Sequence, residues 1–327
     1  MRPLLVPVPQ HQRGVFTAAQ AREAGISDDE RRHRVRRKEW LPLRRGVYVE
    51  SARWAGLPSL VEQHRVRVIA AQLSLGRPSW ASGLSACAVH DALPPHAKLA
   101  RVWLTCMSGQ THSSRDLSVA VWPLSPQERT TVAAIPVLSG ARTIFDVARS
   151  MNFADAVTVA DQLLRSGSAT RDRLHELVLD LHGRPGAPAF ARVATFADGR
   201  SESPGESLSR VWFAEVGLPT PALQVEFLDD AGFVAITDFY WPEHRTVGEF
   251  DGQGKYRARS VLVAEKRRED RLREDYEVVR WDWQDLHRHP RQLRRRITDA
   301  FDRGARRPPT TRVWVAGGRT DDTATWR

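Results

Sequence analysis

The residues best suited to chemistry lie in the stretch 237–252, Thr-Asp-Phe-Tyr-Trp-Pro-Glu-His-Arg-Thr-Val-Gly-Glu-Phe-Asp-Gly. It carries Asp238, Glu249 and Asp251. Residues 233–240 are β-branched and aromatic, and so are 246–250, so each reads as a strand. Trp241-Pro242-Glu243-His244-Arg245 joins them with the proline and polar residues of a hairpin loop. Pairing of the two strands brings Asp238 beside Glu249. Glu249 and Asp251 are two residues apart, so an extended backbone points both to one face. Three carboxylates on one face repel one another unless a cation sits among them, and such oxygen donors suit Mg²⁺ or Mn²⁺. Paired acids beside a turn can equally be a solvated sheet edge. Here they interrupt runs that a core strand keeps apolar, Phe-Val-Ala-Ile before Asp238 and Thr-Val-Gly before Glu249. Gly252 would also let a backbone or a phosphate come close. A cation site is the expectation.

Such a site needs folded domains to position it. At 327 residues the chain has length for two or three. Hydrophobic content of 41% and charged content of 27% are ordinary for a globular protein. A net charge of +10 and a pI near 10.4 are not, and they predict attraction to polyanions, nucleic acid before acidic membrane. Only four of the 49 basic residues are lysine (Lys38, Lys98, Lys255, Lys266) and 45 are arginine. With the alanine content this looks like the coding bias of a GC-rich genome, so part of the arginine carries no function. Cys87 and Cys106 are too few for a disulfide framework or a four-cysteine zinc site, and two buried thiols in a reducing cytoplasm are expected. The apolar start is broken by prolines and too short for a signal sequence, and no stretch approaches the ~20 apolar residues of a membrane span. A soluble, cytoplasmic protein is expected, with no membrane partner.

At the N-terminal end, Thr17 suits the N-cap of an alanine-rich helix that Gly25 ends, and Ser27 suits the cap of a second helix over 28–37. That second helix holds Arg31, Arg32, Arg34, Arg36 and Arg37, with Lys38 after it. Trp40-Leu-Pro-Leu-Arg44-Arg45-Gly46-Val-Tyr48-Val reads as a basic hairpin. Helix, turn, basic helix and basic hairpin come in the order of a winged helix-turn-helix, in which the second helix enters the major groove and the wing touches the backbone. A merely solvated charged helix is the alternative.

The middle of the chain alternates helical spacing (59–75, 82–93, 143–149, 154–164, 170–181) with strand-like runs (100–106, 117–121). It has no glycine-rich phosphate loop, and His90, His96 and His112 are too scattered for a metal site. A glycine and proline cluster at 182–188 marks a break. Beyond it come a helix from Glu206 to about 216, strands at 223–228, 233–240 and 246–250, a charged helix at 259–274, a strand at 277–281 and a basic helix at 292–303. The tail after 303 is polar and expected to be disordered.

Two resemblances follow from these motifs. Gly14-Val-Phe-Thr-Ala-Ala-Gln-Ala, Trp40-Leu-Pro-Leu-Arg-Arg-Gly-Val-Tyr48 and Ile135-Pro-Val-Leu-Ser-Gly-Ala-Arg-Thr-Ile-Phe-Asp-Val-Ala-Arg149 make the first half similar to the AbiEi family of antitoxin-like regulators. In that family a winged helix binds operator DNA and represses its own operon, which implies a nucleotidyltransferase-type toxin as partner. The C-terminal part resembles the DUF559 and very-short-patch-repair-like branch of the PD-(D/E)XK nuclease superfamily. The matching residues are Glu202-Ser-Pro-Gly-Glu206, Gly217-Leu-Pro, Thr237-Asp238, Glu249-Phe-Asp251-Gly252, Asp270-Arg-Leu-Arg and Val278-Val-Arg-Trp.

The second resemblance implies Mg²⁺- or Mn²⁺-dependent cleavage of phosphodiester bonds. Asp238 and Glu249 would be metal ligands and Glu206 an accessory acid. Asp251, also a candidate ligand, stands where the superfamily usually has lysine, and Lys255 or Lys266 (or Arg267) could supply the missing ammonium. The expected architecture is multidomain α/β and α+β. It comprises a winged helix-turn-helix at 1–55, a mixed α/β middle domain at 56–198, a restriction-endonuclease-like αβββαβ domain at 199–303 and the tail at 304–327. The expected function is a DNA-binding, metal-dependent endonuclease, with an AbiEi-like repressor of non-catalytic nuclease fold as the alternative. An RNA-directed protein ranks last, because no stacking-aromatic motif is visible.

Overall fold

A computed structural model describes residues 6–252, 270–308 and 313–315. The chain is mixed α/β, with three sheets among the described residues, and divides into two compact units, Met1–Ala197 and Asp198–Arg327. Among the described residues, no helix is long and apolar enough to cross a membrane.

In the first unit, the strands Val15–Thr17, Val47–Glu50 and Trp40–Arg44 form an antiparallel sheet in that spatial order. The helix Ala18–Glu23 starts at a capping box: Gln20 N donates to Thr17 Oγ1 (3.2 Å) and Thr17 N donates to Gln20 Oε1 (2.9 Å). Gly25 turns the chain at φ +82°. Ser27 then caps the helix Asp28–Arg36, whose first turn is acidic and last turn basic, as the helix dipole favours. That helix buries no residue fully, and Val35 is its partial anchor against Phe16, Trp40 and Tyr48. Phe16 and Trp40 meet edge to face at 4.5 Å.

A six-stranded sheet follows, in the order His112–Ser113, Leu117–Val121, Val102–Cys106, Trp80–Ala81, Ile135–Leu138, Arg129–Val132. The helix Leu60–Leu75 buries Val66, Val68 and Ile69 in a core shared with these strands. The strands expected at 100–106 and 117–121 are present, whereas the two- and four-residue strands are too short to show a period. Cys87 and Cys106 are free, buried thiols.

The second unit opens with the helix Pro204–Glu215. Its five-stranded sheet runs Glu277–Trp281, Thr246–Phe250, Gly232–Trp241, Ala222–Asp229, Val313–Val315. Thr246–Phe250 and Glu277–Trp281 are parallel, and the other neighbours are antiparallel. The tail, expected from composition to lack structure, supplies one of these strands: Val313 N donates to Asp275 Oδ2 (2.9 Å) and Tyr276 Oη donates to Val313 O (3.2 Å). The last helix, Pro290–Ala305, packs Leu293, Ile297, Ala300 and Phe301 against Phe213, Phe239, Trp241 and Trp281. Gly248 is a packing glycine, since a Cβ there would lie 2.6 Å from Trp281.

Candidate functional site

Four polar side chains form one row across four adjacent strands of the second unit. Leu223 pairs with Phe239 and Val225 with Thr237, which sets Gln224 level with Asp238. Phe239 pairs with Gly248, so the next step along that ladder sets Asp238 level with Glu249. Glu249 pairs directly with Arg280. The row therefore reads Gln224, Asp238, Glu249, Arg280.

Glu206 joins the row from the helix Pro204–Glu215. Ser203 caps that helix, accepting from Glu206 N (3.2 Å). Gly205 lets its first turn lie against the strand carrying Glu249, because a Cβ at Gly205 would sit 2.0 Å from the Phe250 ring. The Glu206 carboxylate accepts from Glu202 N (2.7 Å), Ser203 Oγ (2.7 Å) and Gln224 Nε2 (3.0 Å). Gln224 Nε2 also reaches Asp238 Oδ1 at 3.5 Å, and Phe250 N donates to Asp238 Oδ2 (2.8 Å). One amide thus ties a buried acid, Glu206, to a half-buried one, Asp238. Burial, reinforced by the Asp238 charge, pushes the Glu206 pKa up to about 7. Burial also raises Asp238, against the opposing pull of Phe250 N–H and Gln224.

Glu249 and Asp251 meet a cation supplied by the protein itself. Arg280 Nε and Nη2 donate to Asp251 Oδ2 and Oδ1 at 2.9 and 2.6 Å, and its Nη1 lies 3.1 Å from Glu249 Oε2. The acids are therefore split into two pairs, Glu206 with Asp238 around Gln224, and Glu249 with Asp251 around Arg280. Among the described residues, no group of three or more His, Cys, Asp or Glu side chains is gathered closely enough to hold a metal. The oxygen donors and raised carboxylate pKa values of the first pair suit a hard divalent cation, whose charge would offset the cost of burying them ionised. Glu249, next in the row, has its Oε2 engaged by Arg280. Lys255 and Lys266 lie outside the described residues. A Cβ at Gly252 would meet nothing within 4 Å.

The basic residues of the first unit divide as well. Arg31 donates to Tyr48 Oη (2.6 Å) and to Asp28 (3.1 Å), and Arg34 donates to Glu30 (2.8 Å) and lies over the Trp40 ring. Arg32 pairs with Asp29, Arg37 with Glu39, and Arg44 with Asp116. Arg36, Lys38 and Arg45 are exposed and make no ion pair among the described residues.

Gln224 and Arg280 had no predicted role. Arg280 stands inside the matching Val278-Val-Arg-Trp run, but only the parallel register discloses that it faces Glu249.

No family model matches the chain. Over 164 residues, half of the chain, it is 32% identical to an uncharacterized protein of Mycobacterium tuberculosis, found in strains CDC 1551 and H37Rv. The chain spans 60% of the length of these curated relatives. Among solved structures, the RV2827C protein from Mycobacterium tuberculosis aligns with a TM-score of 0.40 and 15% identity, covering 67% of this chain and 85% of that one.

Proposed function

We propose that the second unit is a metal-dependent phosphodiester hydrolase of the restriction-endonuclease type acting on DNA, and that the N-terminal sheet with its basic helix is a winged helix-turn-helix that holds the duplex. The observation that carries this reading is the convergence of Glu206 and Asp238, from two different elements, on Gln224, with Glu249 next in the row. Asp238 and Glu249, assisted by Glu206, would hold Mg²⁺ or Mn²⁺. The ion, when bound, would supply Lewis acidity at the scissile phosphate and lower the pKa of a coordinated water. Gln224 fixes the Glu206 and Asp238 carboxylates in place, and Arg36, Lys38 and Arg45 offer charge to the DNA backbone.

The test is Mg²⁺- or Mn²⁺-dependent nicking of duplex and mismatched DNA. Asp238→Ala and Glu249→Ala should each abolish it. Cutting by both variants at the parent's rate would refute the assigned site.

A second reading is favoured by one contact. Arg280 neutralises Glu249 and Asp251, as it would in a nuclease fold turned to binding. On this reading the protein is an AbiEi-like repressor, with a nucleotidyltransferase-type toxin as partner. No metal would then support cleavage, and the protein would footprint upstream of its own operon.

A further inference from the structure

The row of polar residues ends at Arg280, on the edge strand Glu277–Trp281, and a second feature begins there. A cavity of about 350 Å³ is lined by Arg273, Val278, Val279, Arg280, Arg296, Asp299 and Arg303. Four arginines and a single carboxylate residue, Asp299, stand in that lining. Arg296, Asp299 and Arg303 stand three, four and seven residues apart on the helix Pro290–Ala305, so one helix face supplies them all. Arg296 is anchored from behind, donating to Asp285 Oδ1 (2.9 Å) and to the Arg280 carbonyl. Arg303 is held by Glu277 at 3.0 Å. These contacts use part of each five-donor fork and orient the rest.

We propose that this cavity is a subsite for a backbone phosphate of the nucleic acid, beside the Arg280 end of the polar row. The choice of a nucleic acid rests on the reading of that row given above. Guanidinium forks around one opening suit the oxygens of a phosphodiester, and the cavity is large enough for one such group. Arg280 belongs to both features: it lines the cavity, and its guanidinium bridges Glu249 and Asp251.

The test uses the unaltered full chain. Phenylglyoxal modification of each arginine is followed by mass spectrometry, without ligand, with inorganic phosphate alone, and with a twenty-base-pair duplex. The duplex should slow modification of Arg296 and Arg303 at least threefold, and inorganic phosphate should do so at millimolar concentration. Slowing at Arg36 and Arg45 with none at Arg296 and Arg303 would overturn the subsite. Protection by inorganic phosphate but not by duplex would overturn the assignment to nucleic acid. Because cleavage is not read, a protein that protects these arginines yet never cuts would keep the subsite and lose only the nuclease reading. As a second measurement, Arg296→Gln with Arg303→Gln should lower the salt dependence of duplex binding by about one in log–log slope, the loss of one phosphate contact, and Lys at both positions should restore most of it.

Discussion

Arg280 grips Asp251 through two parallel hydrogen bonds, of 2.9 and 2.6 Å, while its third nitrogen lies 3.1 Å from Glu249. A bidentate arginine and carboxylate pair is among the stronger charged contacts. This one is partly open to water, so it can be exchanged for a better partner.

Arg280→Gln should therefore raise Mn²⁺ affinity about tenfold, since removing a cation beside two candidate ligands is worth on the order of 1.4 kcal/mol. Electron paramagnetic resonance of free Mn²⁺ would measure it. An unchanged affinity would mean that Arg280 does not compete with the ion.

Glu206 makes the second unit more stable in mild acid. Its folded pKa, about 7, lies above the ordinary 4.5, so between these values the folded chain keeps a proton that the unfolded chain has lost. Stability should fall as pH rises from about 4.5 to 7 and then level off, by on the order of 2–3 kcal/mol. Urea unfolding at pH 5 and pH 8 tests this. Glu206→Gln should remove most of the difference.

His64, in the first unit, acts with the opposite sign. Its Nδ1 lies 3.1 Å from Leu99 O and its Nε2 2.8 Å from Ser85 Oγ. Burial holds its pKa at about 4, against an ordinary 6.5. The unfolded chain takes up the proton first, so stability present above 6.5 is lost as pH falls toward 4. Amide exchange resolved by residue should show the six-stranded sheet loosening in acid over this interval, and His64→Gln should blunt the effect.

Changing Arg36, Lys38 and Arg45 to Gln together should weaken duplex binding and reduce the salt slope by about three, with little loss of stability. Arg31→Gln and Arg34→Gln should instead lower the melting temperature, because those side chains brace Tyr48 and Trp40. Fluorescence anisotropy at several salt concentrations, beside thermal unfolding, separates the two groups.

Gly205→Ala should destabilise the second unit by about 1–3 kcal/mol, because the added methyl meets the Phe250 ring. Gly252→Ala should leave stability unchanged, as nothing lies within 4 Å. Equal melting temperatures for both variants would show that the helix start tolerates displacement.

The neighbourhood of Asp238 and Glu249 was legible because it is local. Period-two strands and a proline-bearing turn place those two acids level with each other. Gln224 gave no such signal: its φ of +52° departs from extended backbone inside the strand Ala222–Asp229 without a glycine to announce it. Arg280 comes to Glu249 through a parallel crossover, and no local pattern encodes which residues a crossover aligns. The basic helix was readable as charge, but charge alone does not tell which arginines are spent on Asp28, Asp29 and Glu30 and which remain open.

Three residues near the end of the chain, Val313–Val315, lie along the strand Ala222–Asp229 and close one border of the five-stranded sheet. A version cut after Pro308 would bare that border's peptide groups, ready to recruit a strand from another molecule. Self-association on truncation is then a cost of losing a cover, and a tag placed there deserves a linker.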